Sequence, residues 1–148
     1  EIMEQFAYRY LIAYQKGKEV VMQTYRLLKK FPREEQYALC DQLHRASTSI
    51  TSNIAEGMTR HSSKDRSHFL EISYGSLMEV SSQMDVACDL GYITAEELKE
   101  TDSLVDETAR LISGLQRSCS ERVKSERVKS EGKDVLKKNN NTYRLQIY

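Results

Sequence analysis

The chain has 148 residues, one proline, no tryptophan, and equal numbers of basic and acidic side chains, 22 of each. That length accommodates one domain with one core, the scarcity of turn-forming residues argues against a β-sandwich, and no stretch approaches the roughly 20 apolar residues of a membrane span. The neutral total is unevenly spread: residues 1–118 carry 14 Lys and Arg against 18 Asp and Glu, and residues 119–148 carry 8 against 4, so a mildly acidic body precedes a basic tail.

The first periodic segment runs from about Phe6 to Lys30. Leu11, Tyr14, Val20, Val21, Tyr25 and Leu28 recur at helical spacing, and Phe31-Pro32 stops the helix, because the residue before proline is pushed out of the helical region. A second helix is predicted from about Glu34 to Met58, with Leu39, Leu43, Ala46, Ser47, Ile50, Ile54 and Met58 facing inward. Gly57 near its end suggests a left-handed cap. Thr59 to Lys64 reads as a loop, in which Ser62 and Asp65 resemble a capping box. A third helix then reaches about Leu90 on a stripe of Phe69, Ser73, Leu77, Val80, Met84, Ala87 and Cys88, with Gly91 as its cap. The strongest local signal follows. Thr94 and Glu97 form a capping box, and Ile93 with Leu98 a hydrophobic staple. The fourth helix carries Leu98, Thr101, Val105, Thr108, Ile112 and Leu115, a spacing suited to near-parallel packing.

These elements predict an all-α fold, an antiparallel up-down-up-down four-helix bundle over residues 5–118 with a basic, low-complexity C-terminal extension over 119–148. The extension contains Ser120-Glu121-Arg122-Val123-Lys124 repeated as residues 125–129, which reads as a solvated or frayed helix. Asn139-Asn140-Asn141 is expected to break it. Tyr143, Leu145 and Ile147 alternate with polar residues, which fits a short strand against a partner or, in preference, disorder.

Chemistry-bearing constellations are few. Cys40, Cys88 and Cys119 are an odd set without C-x-x-C spacing, against both a disulfide framework and a zinc site. Cys40 and Cys88 lie on apolar stripes, as small buried hydrophobes in a reducing cytosol do. Asp41-x-x-His44 and Asp65-x-x-His68 have metal-ligand spacing, but Asp41 and His44 lie off the apolar stripe, so no metal or other cofactor is expected. The serines come with no Gly-x-Ser-x-Gly elbow, and no enzymatic activity is expected. Arg60, His61, Lys64, Arg66 and His68 should gather where the second helix, its loop and the third helix meet; such a patch can contact phosphates, or be merely a polar loop. His44 and Arg45 lie about four turns away along the second helix. Tyr74 and Met78 leave the third helix with apolar residues on a second face, a pattern found at subunit interfaces.

The run from Gln42 to Gly57 (QLHRASTSITSNIAEG) resembles the motif Q-L-R-R-A-x-x-S-I-P-S-N-I-A-E-G of the four-helix bundle proteins encoded in bacterial 23S rRNA intervening sequences. The resemblance extends to Tyr14-Gln15-Lys16, Phe31-Pro32, Phe69-Leu70, Tyr74-Gly75-Ser76-Leu77 with Glu79, and Leu90-Gly91-Tyr92-Ile93, and covers roughly residues 6–118. It implies a non-enzymatic, homo-oligomeric protein, commonly a ring of five; the cytoplasmic location expected for it comes from the cysteine usage and the lack of an apolar span. It also implies a partner that is RNA, DNA or a nucleic-acid enzyme such as a reverse transcriptase, since the family includes relatives of the accessory protein of diversity-generating retroelements. The ribosomal-protein label on some members reflects genomic position. Arg45, Arg60, Lys64, Arg66 and His44 are the candidate nucleic-acid contacts, assisted by the tail lysines. Asn53, Glu56, Gly57, Tyr74 and Glu79 are motif residues with structural or interface roles. Two positions depart from the motif. Thr51 replaces proline, so a kink there should be milder, and His44 replaces an arginine, which makes any charge there pH-dependent. The alternative reading is a protein-interaction scaffold that binds no nucleic acid.

Overall fold

The computed structural model describes the backbone of residues 4–144 and the side chains of residues 6–133. Four α-helices account for most of it: α1 (Ile12–Leu28), α2 (Leu39–Met58), α3 (Ser63–Asp89) and α4 (Ala95–Arg144). There is no strand among the described residues. Short 3-10 turns at Glu4–Tyr10 and Arg33–Glu35 precede α1 and α2.

Cross-helix contacts fix the topology. Tyr25 stacks on His44, and Gly17 lies against Thr51 and Ile54. Gln42 meets Gln83, Ser49 meets Ser76, and Gly57 meets Phe69. Lys16 pairs with Glu107, Arg26 with Glu100, and Lys30 with Glu97. In each set, residue numbers rise along one helix as they fall along its neighbour, so α1/α2, α2/α3 and α1/α4 are antiparallel. Each helix packs against two others, and α1 and α3 lie diagonally opposite.

The core is one layered stack. Val20, Leu27, Leu43, Ile50, Ile54, Leu70, Leu77, Val80, Met84 and Ile112 are fully buried. The fully buried hydroxyls of Thr24, Ser47, Ser73, Thr101 and Thr108 stay hydrogen-bonded, as burial requires. Thr24, Thr101 and Thr108 donate to carbonyls one turn back, on Val20, Glu97 and Leu104, at 2.7–2.8 Å. Ser73 instead crosses to the Ile50 carbonyl of α2 at 2.8 Å. With the Ser49–Ser76 bond of 2.8 Å and the Asn53 amide on the Ser49 carbonyl at 2.8 Å, it forms a polar seam between α2 and α3.

The α4 stripe and the α2 stripe lie where the sequence places them, but α1 is rotated. Its buried residues are Ala13, Gly17, Val20, Thr24, Leu27 and Leu28, whereas Val21 is half-buried and Tyr25 is exposed. The reason is close approach. A Cβ on Gly17 would stand 3.2 Å from the Thr51 methyl, so the small-residue face enters the core against α2 and Tyr25 stays at its edge, stacked on His44. On α3, Leu70 takes the core position expected of Phe69, which is half-buried. α1 starts later than the periodicity suggests, because Leu11 is extended (φ −67°, ψ 129°). α2 also starts late, at Leu39, after a break at Ala38. There the Glu35 carboxylate accepts both the Leu39 N–H at 3.2 Å and the Tyr92 hydroxyl at 2.9 Å. Thr51 does not interrupt α2, which runs unbroken for 20 residues.

The turns are well specified. Ser62 Oγ accepts the Asp65 N–H at 3.1 Å. Gly91 adopts φ +79°, and the N–H groups of Gly91 and Tyr92 return to the carbonyls of Cys88 and Ala87, satisfying the free end of α3. The capping box is complete: Thr94 Oγ1 accepts the Glu97 N–H at 3.1 Å, and Glu97 Oε1 accepts the Thr94 N–H at 2.9 Å. Gly57 does not form the left-handed cap expected of it, since Gly91 is the glycine with positive φ among the described residues. It lies inside α2, where a Cβ would come within 3.0 Å of the Phe69 Cβ.

α4 is the longest element at 50 residues. It continues through Asn139-Asn140-Asn141, contrary to the expected break. Asparagine costs a helix at most about 0.7 kcal/mol per residue relative to alanine and does not stop it as proline does. Every residue from Ser120 to Lys133 is exposed, in keeping with a solvated extension. Tyr143 falls in the last turn of α4, and Leu145 and Ile147 lie outside the described residues.

Thr94→Ala should cost about 1 kcal/mol in urea unfolding, and Gly57→Val about 1–3 kcal/mol through overpacking against Phe69. The Lys30 ammonium, together with the Thr94 N–H, holds the Glu97 carboxyl down from 4.5 to about 2. Its stabilisation is therefore complete above pH 4.5 and disappears as pH falls towards 2. The urea midpoints of the native protein and Glu97→Gln should differ at neutral pH and converge across that window.

Candidate nucleic-acid interface

The α2–α3 end of the bundle is built around Gly57. Because it lacks a side chain, Phe69 packs directly on the α2 backbone. The Arg60 guanidinium lies 4.6 Å above the Phe69 ring centroid and pairs with Glu56 at 2.8 Å. The Arg66 Nε donates to the Arg60 carbonyl at 2.7 Å and closes the loop. Arg60 is thus engaged within the fold, one face on an aromatic ring and one nitrogen on a carboxylate.

Lys64 is exposed on the first turn of α3 and Arg66 is half-buried beside it. The projecting part of α4 runs alongside both. One groove is lined by Arg66, Met58, Arg122, Ser125 and Lys129, and the other by Lys64, His68, Cys119, Val123 and Lys124. Asp65, Glu71, Glu121 and Glu126 line the same grooves, so the surface is mixed in charge. His68 faces Glu71 at 4.0 Å.

Arg45 and His44 do not join this site. They sit one helix-length away, about 22 Å from Arg60 along α2. Arg45 pairs with Asp41 at 3.2 Å. His44 stacks edge-on against Tyr25 with centroids 4.5 Å apart, and shares a shallow depression with Lys29 and Arg33. Both ion pairs of the motif region span one helical turn and are exposed, so each contributes little to stability.

The motif residues divide by role. Asn53 belongs to the α2–α3 seam, Gly57 to the close helix contact and Glu56 to the Arg60 pair. Tyr74 is half-buried against the core. Glu79 lies on the outer face of α3, where it accepts a bond from Gln83 at 3.2 Å. All three cysteines are free. Cys40 is buried, and burial, with the nearby Glu35 carboxylate, pushes its thiol pKa up, which makes it inert. Among the described residues, no group of three His, Cys, Asp or Glu is placed to hold a metal ion, and no helix is long and apolar enough to cross a membrane.

From the sequence alone, Arg122 and the tail lysines, Lys129 among them, are cations without a location. The spacing of seven residues between Arg122 and Lys129 puts them on one face of a continuous helix, and that signal becomes useful once α4 is known to continue.

The comparisons agree with this architecture. No curated protein matches the chain. The crystal structure of a protein of unknown function from the S23 ribosomal protein family of Bacteroides thetaiotaomicron superimposes with a TM-score of 0.66 at 23% identity, covering 71% of this chain and 98% of the other. That likeness concerns the fold. The family model for the 23S rRNA-intervening sequence protein matches residues 9–114, a span that takes in all four core stripes, the motif run and the α2–α3 end, and the chain belongs to that family.

Proposed function

We propose that this protein is a non-enzymatic, homo-oligomeric binding protein that acts in the cytoplasm. In this reading it assembles as a ring of five and holds nucleic acid, or an enzyme working on nucleic acid such as a reverse transcriptase, at the α2–α3 end of each subunit. The observation that carries the nucleic-acid part is the convergence there of Lys64 and Arg66 with Arg122, Lys124 and Lys129 of the α4 extension. These cations come from two separate parts of the chain, and none has a carboxylate within 4.0 Å among the described residues. The exposed Lys64, Arg122, Lys124 and Lys129 side chains suit phosphates, which position a nucleic acid without reading its sequence. Arg60 and Arg45 are better read as structural, because each already has a carboxylate partner.

The second reading, a protein-interaction scaffold, draws on the acidic groups in the same grooves and on the acidic body. Binding of a structured RNA at increasing salt separates the two. Under the first reading, affinity falls steeply with salt, and Lys64→Ala, Arg66→Ala and Lys129→Ala each lower the salt slope by about one. Arg45→Ala should leave both affinity and slope unchanged. Absence of RNA binding at low salt, with a protein partner recovered on co-purification, selects the scaffold.

A further inference from the structure

The exposed large apolar side chains of the bundle fall mainly on two helices. On α1 they are Ile12 (62% exposed), Met22 (70%) and Tyr25 (42%). On α3 they are Ile72 (39%), Met78 (38%) and Val86 (47%), with Leu90 (53%) at its C-terminal cap. Because α1 and α3 are diagonal in the bundle, their outer faces point in opposite directions, and neither can be covered by the other within one chain.

Gly75 stands at the centre of the α3 face. A Cβ there would meet nothing within 4 Å, and its φ is not in the left-handed region. A glycine inside a helix costs about 1 kcal/mol relative to alanine. Neither packing nor backbone geometry within the chain requires it. What it provides is a strip of bare backbone on an otherwise covered helix, a recess that an incoming side chain can fill.

The two faces also carry opposite charge. From Glu71 to Leu90 there is no lysine or arginine, and Glu71, Glu79, Asp85 and Asp89 are all exposed there. The outer face of α1 presents Lys18, Arg26 and Lys29 against Glu19. Lys18 and Lys29 have no carboxylate partner among the described residues; Arg26 donates to the Gln23 side chain at 2.8 Å and makes an exposed pair with Glu100 at 3.5 Å. The spacing matches as well. Met22 is flanked four residues to either side by Lys18 and Arg26, and Gly75 four residues to either side by Glu71 and Glu79. A knob between two cations thus meets a recess between two carboxylates, one helical turn apart in both cases.

We propose that α1 of one protomer docks on α3 of a second copy, with Met22 seated over Gly75 of the partner subunit and Lys18 and Arg26 set against its flanking carboxylates. The occupant is a second copy because both complementary halves belong to the same chain. The contact is heterologous, since each protomer gives one face and receives on another, and such a contact closes into a ring when its rotation divides the circle. This rests on the homo-oligomer reading above and adds the faces that make the contact.

The test is the mass in solution, by sedimentation equilibrium over a wide concentration range, of the native protein, Met22→Glu, Gly75→Leu and an equimolar mixture of the two variants. The native protein should give a multiple of 17.1 kDa. Each variant alone should be monomeric, having lost one half of every contact. The mixture should form a one-to-one dimer and go no further, because one intact face of each kind remains. Lys18→Glu with Arg26→Glu should also break the assembly, and adding Glu71→Lys with Glu79→Lys in the same chain should restore it. Far-ultraviolet circular dichroism and thermal melting identify any variant that fails to fold, and the charge-swapped pair then decides. A native protein that is monomeric throughout overturns the oligomer reading together with this one. A native oligomer unaffected by these substitutions overturns only the assignment of faces.

Discussion

Burial in a bundle of four helices is limited by geometry. Each helix gives one stripe to the common core and keeps the rest of its circumference outside, and diagonal helices cannot cover one another. In this chain the inner stripes are filled by layered aliphatic residues, with threonine and serine hydroxyls returned to backbone carbonyls. What remains for recognition is set by the outside: an acidic face on α3, a basic and apolar face on α1, and an end of mixed charge beneath the α4 extension.

Most of the fold is legible in the residues, and the parts that are not share a cause. The Thr94–Glu97 box, the Ser62 cap and the Gly91 turn are local, so the sequence determines them within a few residues. The α4 stripe is readable because its apolar and threonine positions alternate at three and four, with Leu104 and Leu111 only flanking it. α1 is different. It carries two overlapping apolar sets, and the bulkier one, with Val21 and Tyr25, is the more conspicuous. The core takes the smaller one because Gly17 lets α2 approach. The start of α2 depends on Glu35 being held by Tyr92, 57 residues away, which no local pattern records.

The candidate site follows the same division. That Arg45 pairs with Asp41 and Arg60 with Glu56 is visible in their four-residue spacing, once it is read as helical pairing. That Lys64 and Arg66 share grooves with Arg122, Lys124 and Lys129 is tertiary, and depends on α4 continuing as one helix past the bundle. Family membership covers the bundle over residues 9–114, so the extension and its cations belong to this chain's own account. The exposed glycine of α3 was present in the motif from the outset, but it became informative only when its surroundings proved empty.

The central claim is that the outer faces of α1 and α3 meet between copies, and a cross-link reports it directly. With the native cysteines replaced by serine, Met22→Cys combined with Gly75→Cys should form disulfides between protomers under mild oxidation and yield a ladder of covalent multimers. Met22→Cys alone should stay uncross-linked, because a head-to-tail contact never brings two copies of one position together. Cross-linking of Met22→Cys to itself, or no cross-link in the paired variant, would contradict the claim.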